Sequence, residues 1–303
     1  MPIFKVLILA IVQGLAELLP ISSSAHVVVA EKLMGLDPSS PEMTLLLVML
    51  HTGTMFAVIV YFWRRWSYTY FRSSQAFLTT LGRIALATLL TLAIGYPIKH
   101  VIEHHLFAGH NKGEIELLFS RLDLIAYALF AAGILILIAG LAERRNLAAS
   151  GRVDGMQDRR RGGRDPMNIT QAGIIGAVQG LALPFRGFSR SGTTISAGML
   201  SGVPRDAAET FSFALAVVLT PAVVGYEALR LIKASHAASA AGLPMDLHAS
   251  VVSSLIGMLF SFFAGLIALK WLSAWLEAGK WYLFGIYCLV ASVVVYILFT
   301  KGY

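Results

Sequence analysis

The chain has 303 residues, 57% hydrophobic and only 14% charged, with a formal net charge of +7. A soluble domain is nearer half apolar and a quarter charged, so this composition excludes a soluble globular protein and points to an all-α, polytopic membrane bundle. The positive balance does not indicate nucleic acid, because seven arginines run from Arg144 to Arg164 in a loop flanked by apolar sequence, as in a cytoplasmic loop under the positive-inside rule.

The N-terminus lacks a basic n-region and a small-residue cleavage site, so no cleavable signal is expected. The first apolar region, residues 3–36, is interrupted at Pro20–His26 and is too polar in the middle for one span. Three apolar segments follow at about 43–63, 80–98 and 122–142, each near the roughly 20 residues that a spanning helix needs. The linker 143–168 is charged and glycine-rich, without hydrophobic period, and is expected to be a flexible tether. A second interrupted region, 169–203, breaks near 184–192, and three more segments follow at 208–232, 250–270 and 281–299. The single cysteine, Cys288, lies in the last of these and can form no internal disulfide.

Irregular backbone at membrane depth is tolerated only where protein or a water-filled cavity surrounds it. Both interrupted regions are therefore expected to be re-entrant helical hairpins. The order becomes hairpin and three spans (1–142), basic linker (143–168), hairpin and three spans (169–303). The sequence VQGLA stands at 12–16 and again at 178–182, an offset of 166 residues, which marks an internal repeat. Three spans per half force the second copy to insert upside down, an inverted-topology repeat. Loop charge sets the orientation. The loops 64–79, 143–168, 204–207 and 271–280 carry most of the arginines and are expected to be cytoplasmic, with both termini outside. The outer loop 99–121 holds His100, His104, His105 and His110 at spacings that fit no standard metal site.

Polar groups in such apolar surroundings are costly and mark functional sites. In the first break, Gln13 and Glu17 are four apart on one helix face. A carboxylate there can hold a hard divalent cation, act as a base, or simply be bonded to backbone at the break. Ser22, Ser23 and Ser24 follow Pro20 and open a new helix, whose N-terminal N–H groups and positive dipole end suit phosphate. One serine is enough to cap that helix; three exceed the need. His26 is a candidate base, acid or nucleophile beside them.

In the second break, Arg190 stands among Gly187, Ser189, Ser191, Gly192 and Thr194. Its guanidinium is a permanent cation with a fork that fits phosphate oxygens, and flanking glycines let backbone approach a ligand. Arg186 lacks such a frame and reads as an interfacial arginine reaching for headgroups. His51, Glu209 and Glu227 lie within or near spans and are expected to serve packing or support.

Together these residues resemble the bacterial undecaprenyl-diphosphate phosphatase family, the BacA-like bacitracin-resistance proteins, over nearly the whole chain. The family's first motif, Glu/Gln-x-x-x-Glu followed by a Pro-x-Ser-Ser-Thr/Ser-x-His run, stands here as Gln13, Glu17, Pro20, Ser22, Ser23, Ser24 and His26. Its second, Pro-Gly-x-Ser-Arg-Ser-Gly-x-Thr, stands as Gly187 to Thr194, and Ala208 to Phe213 is also similar. Departures are Gln13 in place of a carboxylate, Ala25 in place of glycine, and one extra residue in the turn Pro184-Phe185-Arg186-Gly187.

The resemblance implies removal of the terminal phosphate from a C55 polyprenyl diphosphate, which returns the monophosphate carrier to cell-wall synthesis and confers bacitracin resistance. It also implies a divalent cation, Mg2+ or Ca2+, and an active site that opens to the outer face of the bacterial cytoplasmic membrane. By family position Ser23 is the expected nucleophile. Glu17 and His26 manage protons, and Glu17 with Gln13 meets the metal. Arg190, with Ser189 and Thr194, clamps the phosphates, with further donors from Ser22, Ser24 and Ser191. Attack by water or by His26 stays open, and a homodimer is compatible with the sequence. A different class, a transporter or flippase of the lipid carrier, is suggested by the inverted repeat. The acid phosphatase superfamily is disfavoured, because its Ser-Arg-x5-His pattern would need a histidine where Ser196 stands.

Overall fold

The computed structural model describes residues 2–36, 41–106, 121–150, 167–240, 247–277 and 279–302, with some side chains near helix ends outside that description. Among the described residues there are ten helices and no strand. They are α1 (Ile3–Leu18), α2 (Ser23–Leu33), α3 (Pro41–Thr69), α4 (Ser74–Leu106), α5 (Leu122–Ser150), α6 (Ile169–Ala182), α7 (Arg190–Leu200), α8 (Arg205–Ala240), α9 (Leu247–Glu277) and α10 (Tyr282–Thr300).

Five of them are long and apolar enough to cross a membrane: Glu42–Thr69, Ser74–Ile102, Leu122–Ala148, Ala249–Leu272 and Tyr282–Thr300. The sixth expected span falls in α8, a 36-residue helix whose side chains are only partly described beyond residue 222. Side chains such as Leu89, Leu92, Phe130, Ile138, Val290 and Val293 stand on the outside of the bundle. An apolar surface of this extent is untenable in water and natural against hydrocarbon.

The two interrupted regions each form a helix, a break and a second helix. At about 1.5 Å per residue, α1 and α6 reach about 24 and 21 Å, short of the ~30 Å hydrocarbon thickness. Proline chemistry makes the first break: Leu19, the residue before Pro20, is extended at φ −80°, ψ 149°, as a residue before proline prefers. Both second helices have 11 residues and end alike. Past α2, Gly35 (φ +64°) and Leu36 return their N–H groups to the carbonyls of Lys32 and Glu31. Past α7, Gly202 (φ +88°) and Val203 do the same to Met199 and Gly198. These are two Schellman caps at an offset of 167 residues, from 35 to 202.

The halves also exchange partners. α1 packs on α9 and α6 packs on α4, so each first hairpin helix lies against a long helix of the other half. The shared VQGLA explains how. A Cβ on Gly14 would meet Ala264 Cβ at 2.5 Å and the Ser261 carbonyl at 2.8 Å, and one on Gly180 would meet the Thr91 carbonyl at 2.8 Å. Close backbone approach through small residues is the usual membrane-helix contact. The centre is sealed where α3 meets α8, with Phe62, Trp66, Phe211 and Phe213 buried and Trp66 Nε1 donating to the Thr210 carbonyl at 3.2 Å.

The expected tether starts later than residue 142. α5 continues to Ser150, held by a 2.6 Å bond from Arg205 Nη1 to Glu143 Oε1 and by Arg144 lying 5.4 Å over the Tyr282 ring. Residues 151–166 lie outside the described part. Of the loop histidines, His100 belongs to α4 and stacks on Tyr96; the side chains of His104 and His105, and all of His110, lie outside it.

Candidate active site

Two serines define the breaks. Ser22 (φ 70°) and Ser189 (φ 49°) are the only non-glycine residues with positive φ among those described, and each immediately precedes a second hairpin helix. Such geometry costs of order 1–3 kcal/mol per residue and persists where the surroundings over-determine it. It turns the chain sharply enough to aim the first residues of α2 and α7 at each other. Ser189 Oγ accepts from Gly192 N–H at 3.3 Å and caps α7. Ser22 does not cap with its side chain; its Oγ meets Ser24 Oγ at 3.3 Å. The first N–H groups of α2 therefore have no side-chain cap from Ser22.

Ser23 and Arg190 occupy the same first helical position of α2 and α7, and both reach Glu17. Arg190 Nη2 donates to Glu17 Oε1 at 2.9 Å, and Ser23 Oγ donates to Oε2 at 2.5 Å. Gln13 Nε2 also donates to Oε2, at 3.0 Å. With side chains 15% and 21% exposed, Glu17 and Arg190 are a mostly desolvated pair, and such a pair is sustained only by good geometry and further hydrogen bonds. Arg190 Nη1 is buried and has no hydrogen-bond partner. His51, expected only in support, sits beside the carboxylate: its Nδ1 is 3.0 Å from Gln13 Nε2 and 3.5 Å from Glu17 Oε2.

His26 is placed differently from a simple base for Ser23. Its Nδ1 donates to the Ser22 carbonyl at 2.7 Å, and its Nε2 lies 2.7 Å from the Tyr287 hydroxyl, with the two rings stacked. A carbonyl only accepts, so a proton sits on Nδ1; in the neutral ring Nε2 then accepts from the Tyr287 hydroxyl. Tyr287 was not found from sequence; it lies 261 residues from His26 in an apolar helix and carries no motif.

The other hydroxyls build the frame. Thr194 Oγ1 is fully buried, bonded to the Arg190 carbonyl at 2.7 Å and to Ser212 Oγ at 2.7 Å, so it fixes α7 against α8. Ser191 is buried beside it. Ser24 Oγ accepts from Gly187 N–H at 3.2 Å and ties the two breaks together. A Cβ on Gly187 (φ +103°) would meet the Ile125 carbonyl at 2.5 Å, so glycine is needed there on both counts. Pro20 supplies its carbonyl to the approach: Cys288 Sγ donates to it at 3.5 Å, and a Cβ on Gly192 would come within 3.1 Å.

Arg186, expected as an interfacial arginine, stands in the turn of the second break. It acts electrostatically on Glu31, whose side chain is fully buried on α2 with no hydrogen bond to either oxygen. Glu209 belongs elsewhere, 3.9 Å from Arg65 where α3 meets α8, and the Glu227 side chain lies outside the described residues. Among the described residues no group of three His, Cys, Asp or Glu could hold a metal. Glu17 is the carboxylate of the cluster and is already bound by three donors, so a divalent cation fits here only as one carried largely by phosphate oxygens.

The arrangement is a carboxylate joining a hydroxyl to a guanidinium between two helix N-termini, suited to an anionic head in a lipid. A model of the family described as "Bacitracin resistance protein BacA" matches residues 6–294. The chain is 55% identical over 295 residues to "Undecaprenyl-diphosphatase 2" of Acinetobacter baylyi, with 97% of each chain covered. The chain therefore belongs to the BacA family of bacitracin resistance proteins.

Proposed function

We propose that this membrane protein hydrolyses undecaprenyl diphosphate to undecaprenyl phosphate and inorganic phosphate, recycling the lipid carrier of peptidoglycan synthesis and so conferring bacitracin resistance. The observation that carries the reading is Glu17 held between Ser23 and Arg190. The 55% identity to a protein named for this activity supports it, and favours hydrolysis over a transport role alone.

Phosphoryl transfer asks mainly for positioning and charge neutralisation. Arg190 Nη1 and the open N–H groups at the start of α2 grip the diphosphate. Glu17 Oε2 takes the proton of Ser23 Oγ as that oxygen attacks the terminal phosphorus. The bond from phosphorus to the bridging oxygen breaks, and the lipid monophosphate leaves. Water then cleaves the phosphoserine and releases phosphate. His26, fixed by Ser22 and Tyr287, orients the serine turn; to take the proton of that water its Nε2 would have to exchange the Tyr287 hydroxyl for it. A divalent cation, Mg2+ or Ca2+, neutralises diphosphate charge when bound; Glu17 and Gln13 would meet it. The two halves insert as inverted repeats, α1–α5 and α6–α10, joined by a cytoplasmic linker that follows α5. Both termini lie outside, and the site opens to the outer face of the cytoplasmic membrane.

The test is phosphate release from C55 diphosphate by purified protein in detergent, with and without EDTA. Turnover that EDTA suppresses is expected. Ser23→Ala should lose about 10²–10⁴-fold; near-normal turnover in that variant removes the serine mechanism.

A further inference from the structure

Tyr287 lies on α10, outside both hairpins, and the path of α10 is closely set. A Cβ on Gly285 would stand 2.6 Å from Leu137 N, and one on Gly133 would stand 3.1 Å from the Gly285 carbonyl, so α10 and α5 cross in near backbone contact. One residue past Tyr287, Cys288 is fully buried, and its Sγ donates to the Pro20 carbonyl at 3.5 Å. This stretch of α10 is therefore a wall of the first break.

Tyr287 stands at the edge of that wall. Its hydroxyl lies 2.7 Å from His26 Nε2, and its ring stacks on the imidazole with 5.7 Å between centroids. Yet the residue is 45% exposed. Three and seven residues on, along the same helix face, Val290 and Val294 are 60% and 51% exposed and belong to the apolar outside of the bundle. α2 packs along α1 and α10 packs along α5, so neither is the other's main packing partner where the two rings meet. A tyrosine with its hydroxyl bonded inward and its ring facing apolar surface suits a border between a polar site and hydrocarbon. A lipid diphosphate has to cross such a border, head on one side and chain on the other.

We propose that the exposed ring of Tyr287 seats the first prenyl units of the substrate, where the chain leaves the site for the bilayer along Val290 and Val294, while the hydroxyl of the same residue holds His26. The proposal rests on the active-site assignment above. It adds α10 as the part that recognises the lipid, whereas Arg190 and the start of α2 meet the diphosphate.

The test separates the ring from the hydroxyl. Tyr287→Phe and Tyr287→Ala are compared with wild type by steady-state kinetics on C55 diphosphate in one detergent, with thermal unfolding as a folding control. Losing the apolar contact of one partly exposed ring should raise KM about tenfold in Tyr287→Ala. Tyr287→Phe keeps the ring, so its KM should stay within about twofold of wild type while kcat falls about three- to tenfold. Should the alanine variant fail to fold, Tyr287→Gln removes the ring with less loss of volume and is read in the same way. Tyr287→Ala is also built on His26→Ala, where the Kd of the product, C55 monophosphate, is measured so that turnover is not required. The Kd should again rise about tenfold, because the ring touches the chain directly. A wild-type KM in Tyr287→Ala, a KM in Tyr287→Phe as high as in Tyr287→Ala, or no rise in Kd on the His26→Ala background overturns the proposal; the last result would mean that the ring only props His26. Arg190→Ala run alongside separates the two readings, because unimpaired turnover there sinks the site assignment itself rather than the role of Tyr287.

Discussion

Glu17 and Arg190 meet at 2.9 Å although 173 residues separate them, and they do so at the two places where the chain breaks. The ion pair joins the two halves at the proposed site, so on that proposal it is formed before any ligand arrives. On that proposal substrate binding would exchange part of this bond for a new one, and Arg190 Nη1, buried without a hydrogen-bond partner, would begin the exchange.

Removing the cation should therefore affect both stability and turnover. Arg190→Ala is expected to lower kcat/KM about 10²–10³-fold, the range for losing one preorganised charged donor. Arg190→Lys keeps the charge without the fork and should recover only part. The Ala variant also leaves Glu17 without its cation, and its detergent melting point should drop; Glu17→Gln placed on top should restore the melting point without restoring phosphate release.

The two breaks, their serines and the Glu17, Ser23, Arg190 trio were legible because each is polar inside apolar sequence. Membrane chains keep such groups only where they are used. What stayed hidden carried no such contrast. Tyr287 is one aromatic among many in α10, and only its contact with His26 marks it. Glu31 looks like an ordinary charge on a short helix, and burial is a property of the assembled halves. His51 lies in a plain apolar helix and gains meaning from Gln13 across a gap of 38 residues. The expected repeat showed in the sequence as five shared residues, whereas the positive φ of Ser22 and Ser189 and the paired Schellman caps at Gly35 and Gly202 are conformations that single residue identities do not announce.

That conformational pairing makes a prediction. Glycine tolerates positive φ without the Cβ penalty. Ser22 has no side-chain cap to lose, so Ser22→Gly should stabilise the fold by up to about 1 kcal/mol. At Ser189 the relief is offset by loss of the cap to Gly192, so Ser189→Gly should be neutral and Ser189→Ala destabilising by about 1–2 kcal/mol. Thermal unfolding in one detergent, all three variants side by side, checks this; equal shifts at 22 and 189 would contradict the difference in capping.

The α4–α6 contact should be intolerant of a single methyl group. A Cβ on Gly176 would run into the backbone of Ala87, and Thr91 Oγ1 donates to the Gly176 carbonyl at 2.9 Å, so neither helix can yield without losing that bond. Gly176→Ala is expected to cost about 1–3 kcal/mol. At Gly173 the nearest atoms are leucine side-chain tips at 3.3 and 3.6 Å, which can move. Gly173→Ala should be close to neutral, and melting points of the two variants give the comparison.

Glu31 and Arg186 supply the last test. A buried carboxyl group without a hydrogen bond persists either as the neutral acid or beside an opposing charge, and the charge that acts on Glu31 is Arg186, at the extra residue of the second break. The couple should hold that turn over α2, in support of the Gly187 to Ser24 bond. Removing the arginine leaves a charged Glu31 uncompensated, a loss that reaches about 3–5 kcal/mol for fully buried pairs and should be smaller here, because Arg186 is half-buried and the acid can take up a proton. Arg186→Ala should therefore melt earlier and raise KM, while Glu31→Gln alone should stay within about 1 kcal/mol because an amide carries no charge to strand. The double variant is the decisive measurement. If the two residues act on each other, Glu31→Gln should return most of the stability that Arg186→Ala removes; if the two effects simply add, they are independent and the turn is held by backbone contacts alone.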